Sequence, residues 1–391
     1  MLSPTEALIT LNLIPGLGSI RIQGLLEYFG TAELVLEAPV GLLENAPRIG
    51  TKLARTIADW RNCTNVHAEL DCAAQHGVRV ITLLDDEYPA ILRRMTDPPI
   101  VLYLRGEWRD SDAERSVAIV GTRNASAYGQ TVARKFGREL AENGSTIISG
   151  LARGIDTAGH WGALEAGGRT IAVMGHGMAG IYPSENQELA DAICNGHGAV
   201  VSEFPMLTRP GRTTFPQRNR IVAAWSRAVL VAEAPLRSGS IHTAHLAAEN
   251  YGNSIFAIPG NITHPGSTGC HALIRDGAIL CTTPYELESD MGWTSQPQQL
   301  NLFTPPPAAP KKQRAEQPEL PTDATQRAIL SAIAAGHDTL DTLCPALGMG
   351  ARELNPLLMR LQIQRFIEPI PGGRYRRICA LHQPDTAILL T

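Results

Sequence analysis

The residues best placed to do chemistry lie in short turns, each following an apolar run: Gly121-TR-Asn124, Ser149-GLARG-Ile155, Gly175-HG-Met178, Ser202-EF-Pro205, Ala234-PLRSGS-Ile241 and Pro259-GN-Ile262. Glycine lets a backbone approach a phosphate closely, and a helix that follows the turn adds the positive end of its dipole. The chemistry implied is anion binding. Charge is distributed to match: no Asp or Glu lies between Glu203 and Glu233, whereas Arg209, Arg212, Arg218, Arg220 and Arg227 all do. Lysine occurs only at positions 52, 135, 311 and 312, so nearly all the positive charge is arginine, which grips phosphate with a planar fork and stacks on bases.

Other chemistries lack their residues. Gly121-TRNASAYG is not G-x-G-x-x-G, and the next strand ends in Ser149-Gly150 without an acid for a ribose hydroxyl, so a nicotinamide cofactor is not expected. G-x-x-x-x-G-K-[ST] and G-x-S-x-G are both missing. His160, His176, His197, His242 and His245 lack metal-ligand spacing, and the seven cysteines never form C-x-x-C, so no metal, cofactor or disulfide framework is expected. The apolar runs fall short of the ~20 residues that span a bilayer. With a net charge of −4, the chain reads as soluble and cytoplasmic, with any nucleic-acid contact confined to a local patch.

These turns must be held by a sheet. Runs at Val78-RVITLL, Ile100-VLYL, Val117-AIV, Thr146-II, Thr170-IAVM, Ala199-VV, Ala228-VLVA and Asn253-SIFAI alternate with helical patterns, Tyr128, Val132, Phe136 and Leu140 sharing one face. Such alternation predicts a Rossmann-like, doubly wound parallel sheet of the α/β class over residues 65–290, with ligands at its carboxyl edge. Residues 1–64 read as short helices around two glycine turns, Ile14-PGLG-Ser19 and Pro47-RIG-Thr51. This doubled pattern resembles a helical helix-hairpin-helix or SAM-like domain, whose turn either offers N–H groups to a phosphate or simply caps packed helices. A Pro- and Gln-rich linker is expected over 291–322, a winged helix over 323–380 and a tail over 381–391. Arg374, Arg376 and Arg377 on the wing suit DNA, although winged helices also bind proteins.

In this order, Ala118-IVGTRNASAYG, Ile148-SGLARGIDTAGHWGAL, Ile181-YPSEN, Ser202-EFP, Phe215-PQRNRIVA, Val231-AEAPLRSGS, Phe256-AIPG and Leu273-IRDGA resemble the DNA processing protein A (DprA/Smf) family. The resemblance is dense over residues 80–285. It implies a non-enzymatic homodimer that binds single-stranded DNA, protects incoming DNA in natural transformation and loads the RecA recombinase. The family's G-[ST]-R turn falls on Gly121 and Arg123, and its S-G-L-[AKR]-x-G-I-D loop on Ser149, Gly150, Arg153 and Gly154. The F-x-x-R-N-R segment falls on Phe215, Arg218, Asn219 and Arg220, and the S-G-S turn on Ser238, Gly239 and Ser240. Gly175 belongs to another of the strand-end turns.

The residues alone suggest the same task. Arg123, Arg153, Arg218 and Arg220 could hold successive phosphates, with Phe215 and Tyr128 as plates for bases. For Arg218 and Arg220 the competing reading is an ion pair with Glu203, Glu233 or Asp156, and for Phe215 a place in the core. A runner-up function is mononucleotide binding or phosphoribohydrolase-like cleavage. Its P-G-G-x-G-T-x-x-E motif is incomplete here, since Arg237-SGSIHTAHLAAE-Asn250 lacks the glycine pair and places Glu249 too far on.

Overall fold

The computed structural model describes residues 2–294, 323–364, 366–370 and 373–378. Most of the expected linker, the Pro371-Gly372 turn and the 381–391 tail lie outside the described residues. The chain divides into two compact units, Met1–Pro297 and Gln298–Thr391.

Nine strands form one sheet in the first unit: β1 (Arg79–Thr82), β2 (Val101–Gly106), β3 (Ser116–Gly121), β4 (Thr146–Ser149), β5 (Thr170–Met174), β6 (Gly198–Ser202), β7 (Ala228–Glu233), β8 (Ser254–Ala257) and β9 (Ile279–Leu280). Their spatial order is β1-β2-β6-β5-β4-β3-β7-β8-β9. From β6 to β9 every neighbouring pair is parallel. At one edge β2 runs antiparallel to both β1 and β6, which a fully parallel expectation misses. Apolar period marks a strand but not its direction, and only the four-residue helix Ala90–Arg93 lies between β1 and β2.

Side chains alternate across the sheet and meet helices on both faces. Val117 and Ile119 of β3 pack with Ala133, Phe136, Leu140 and Ile155, from helices Ala127–Glu142 and Ile155–Glu165. Ala118 and Val120 pack the other way, with Ile221, Val222 and Trp225 of helix Thr214–Trp225 and with Ile241 and Ala244 of helix Gly239–Tyr251. The N-terminal helices share a third cluster with the sheet, in which Leu8, Ile22, Ile57 and Val66 join Tyr103, Met174 and Val200. Packing is therefore continuous across residue 64.

In the second unit, helices Ala324–Ala334, Leu340–Leu347 and Ala351–Ile363 enclose Ile329, Leu343, Leu354 and Leu358. An antiparallel pair, β10 (Ile367–Ile370) and β11 (Arg374–Arg377), completes the winged-helix pattern of three helices and a hairpin. No helix among the described residues is long and apolar enough to cross a membrane.

Candidate functional site

After β6 the chain crosses over β5, β4 and β3 to place β7 on the far side of β3. Strand order reverses there, and the loops leaving adjacent strands diverge, which opens a crevice at the carboxyl edge. A cleft of about 900 Å³ occupies that position. Gly121 and Arg123 line it from the turn after β3, Gly150, Ala152 and Asp156 from the loop after β4, and Arg237, Ser238, Gly239 and Ser240 from the turn after β7. The fourth wall is helix Thr214–Trp225 with its approach: Arg209, Arg212, Phe215, Arg218 and Asn219.

Two clusters give the cleft its chemistry. The first is aromatic. Phe215 lies 6.1 Å from Tyr182 between ring centres, Tyr182 lies 6.1 Å from His176, and Arg123 is stacked on Phe215 with its guanidinium carbon 4.7 Å from the ring centre. Gly175 seats this ring, since a Cβ there would stand 2.7 Å from Phe215 Cδ1. Tyr182 is 46% exposed and Phe215 half-buried, so both present surface to a ligand. The second cluster is cationic. Arg209, Arg212 and Arg237 are exposed and belong to no ion pair among the described residues, and Asp156 is the one carboxylate in the lining.

Asp156 is committed to the loop. Its Oδ2 accepts from Gly150 N (3.1 Å) and Ala152 N (3.4 Å), while Asn186 Nδ2 donates to Leu151 O (2.9 Å) and Thr157 Oγ1 (2.8 Å). Those bonds hold Leu151 in a left-handed conformation, φ 56°. Burial pushes the Asp156 carboxyl up, against the pull of the Arg218 cation beside it.

The expected residues do not all reach the cleft. Arg218 lines it but is 4% exposed, and its Nη1 donates to the carbonyls of Gly150 and Val173. It contributes its field to the cleft while those donors tie the helix to β4 and β5. Burial brings it down to about 10, with Asp156 opposing and Arg123 adding to the fall. An ideal Cβ on Gly150 would come within 2.5 Å of this guanidinium, so a side chain at residue 150 would displace Arg218 from its carbonyl partners. Ser149 is fully buried and donates to Ile119 O (2.6 Å), and Gly154 caps helix Ile155–Glu165 at φ 78°. Arg220 faces away from the cleft, paired with Asp97 (2.8 Å) and Glu203 (2.7 Å). Arg153 stands at the rim with Tyr182 and Phe215, in a bidentate pair with exposed Glu185 rather than with Asp156. Tyr128 lies apart, in a separate hollow where its hydroxyl donates to Pro259 O (2.9 Å).

Residues 79–292 match the family model described as DNA recombination-mediator protein A, and residues 313–373 match the DprA winged helix domain. The chain belongs to this family. It is 32% identical over 385 residues to Protein Smf of Synechocystis sp., covering 93% of this chain and 96% of that one. It is also 46% identical over 202 residues to DNA processing protein DprA of Streptococcus pneumoniae, which takes in 52% of this chain and 70% of that relative. The X-ray structure of the S. pneumoniae DprA superposes with a TM-score of 0.64 at 34% identity, covering 74% of this chain and 99% of that one. For this DprA family member, the sequence left Tyr182, Arg237, Asn186 and Glu185 without a role. Tyr182 had a signal, an aromatic in the Ile181-YPSEN turn beside a strand end, whereas the partners of Asn186 and Arg153 are long-range and leave no local mark.

Proposed function

We propose that this chain binds single-stranded DNA in the strand-end cleft, shields it and delivers it to the RecA recombinase, acting by binding without turning over a substrate. The observation that carries this is the pairing of unneutralised arginines with exposed Tyr182 and half-buried Phe215 in one open cleft. Arginines neutralise successive phosphates while bases stack on Tyr182 and Phe215, a combination that tolerates any sequence. Among the described residues the cleft has no free carboxylate for acid-base work, because Asp156 holds its loop, and this disfavours the phosphoribohydrolase reading. The family's description as a recombination mediator supports hand-over to a recombinase. A second copy of the chain would cover the β9 edge, where Ile279 and Leu280 are 38% and 50% exposed.

The test is fluorescence anisotropy of the full chain with labelled oligo-dT against a duplex of equal length, at graded salt. Single strand should bind more tightly, with a log-log salt slope of about −2 to −3.5 for three to five phosphate contacts. Equal affinity for the duplex, or a flat salt profile, would remove the proposal. For delivery, the assay is RecA assembly on a strand coated with single-strand binding protein, which the chain should accelerate.

A further inference from the structure

A second cationic hollow, of about 530 Å³, lies on the opposite side of helix Thr214–Trp225 from the cleft. Both glycine turns of the N-terminal helices contribute to it: Gly18, Ser19 and Arg21 from the first, Arg48 from the second. Gly18 caps helix Ser19–Phe29 with no side-chain acceptor, so the first amides of an eleven-residue helix are left for another partner. Arg21 is fixed beside that turn by its bond to Gly16 O (2.7 Å).

The independent observation comes from the sheet side. Arg220, 8% exposed, lines the same hollow; its Nε is held by Asp97 and its Nη2 by Glu203, but its Nη1 is buried with no hydrogen-bond partner. A buried guanidinium donor left unsatisfied is costly, and an anion bound against it would remove that cost. With Glu203 counted beside Asp97, both paired to Arg220, three arginines face two carboxylates, so the hollow is net positive through Arg21 and Arg48.

We propose that this hollow is a second phosphate site, filled by a backbone phosphate of the same single strand that occupies the cleft, an assignment that rests on the reading of the cleft above. Helix Thr214–Trp225 joins the two: Phe215, Arg218 and Asn219 face the cleft, and Gln217 and Arg220 face the hollow. A strand leaving the cleft around this helix meets the N-terminal turns, which gives those helices a share in holding DNA.

Full-length protein carrying Arg48→Gln is the test variant, with Arg48→Lys as the charge-keeping control, because Arg48 is exposed and neither change removes a packed side chain. Oligo-dT from about 4 to about 16 nucleotides is titrated by anisotropy. Above a threshold length, Arg48→Gln should bind about three- to tenfold more weakly than wild type and lose roughly 0.7 from the salt slope, with Arg48→Lys close to wild type. Below that length the proteins should be indistinguishable. Equal binding at every length, or a deficit already complete on the shortest bound strand, would overturn the second site. Failure of wild type to bind any oligo-dT would instead overturn the cleft reading. Inorganic phosphate is the other arm: if it raises the melting temperature of wild type but not of Arg48→Gln, while DNA binding is unchanged, the hollow takes free phosphate and the strand assignment is wrong.

Discussion

The guanidinium carbon of Arg123 lies 4.7 Å from the centre of the Phe215 ring, so a cation and an aromatic plate form one preassembled unit at the mouth of the cleft. A base arriving on this unit meets a side chain already stacked, and less rotamer entropy is lost on binding. The two residues should therefore be coupled. Arg123→Ala and Phe215→Ala should each weaken single-strand binding, and the double variant should lose less than the sum, as a double-mutant cycle would show. Full additivity would mean that the contact plays no part in binding.

Position within the chain should also matter. A charge-assisted contact that DNA desolvates is worth about 1.5 to 3 kcal/mol, so Arg123→Ala should cost roughly ten- to a hundredfold in affinity. Arg374 sits exposed on the wing, 3.8 Å from Asp338, and Arg374→Ala should cost under about 1 kcal/mol. A larger loss in the wing variant would move the binding site to the other unit.

Arg153 is held by Glu185 at the rim, both side chains being about half exposed. Such a pair adds little to stability, but it occupies the fork that a phosphate would take. Glu185→Gln should tighten single-strand binding by freeing Arg153, Arg153→Glu should weaken it, and Arg153→Lys should keep a substantial part. All three should melt close to the wild-type temperature. A destabilised Arg153→Lys would show that the pair secures the loop instead of awaiting a ligand.

Stability should depend on pH through His160, which is fully buried. Thr170 donates its hydroxyl proton to Ile147 O (2.8 Å), so its oxygen accepts from His160 Nδ1 (2.6 Å), leaving Nε2 as an unprotonated nitrogen without a partner. Protonating Nε2 would bury a charge, and burial together with the nearby Arg218 cation brings the imidazole down to about 3. The folded value lies below the unfolded one, so the unfolded chain takes up the proton first and stability is lost as pH falls below about 6.5. The loss approaches 1.4 kcal/mol per pH unit down to about pH 3. His160→Asn keeps a donor for Thr170 and cannot titrate; its melting temperature between pH 6.5 and 5 should fall less steeply than that of wild type. Equal slopes would place the acid sensitivity elsewhere.

Much of the cleft was legible because strand-end turns need particular residues: glycine where backbones must approach, Ser and Arg where an anion is met. Burial was not legible. Arg218 and Arg220 read alike in Phe215-PQRNR, yet two residues of helix turn a side chain by about 200°. One is therefore wedged under the cleft against Gly150 and Val173, and the other points to the N-terminal helices. Tyr128 looked equivalent to Phe215 as a plate, but the helix it opens starts beyond β3 on the β8 side, where its hydroxyl bonds Pro259 O. The antiparallel placement of β1 and β2 escaped for a related reason, since period encodes which residues are buried and not which way the chain runs.

The most direct test of the central claim is to photocross-link the full chain to a single-stranded oligonucleotide carrying 5-iodouracil and to map the modified peptides by mass spectrometry. Adducts are expected at Tyr182 and Phe215, lost when unlabelled oligo-dT competes. Adducts confined to the winged-helix unit, with Tyr182 and Phe215 unmodified, would contradict it.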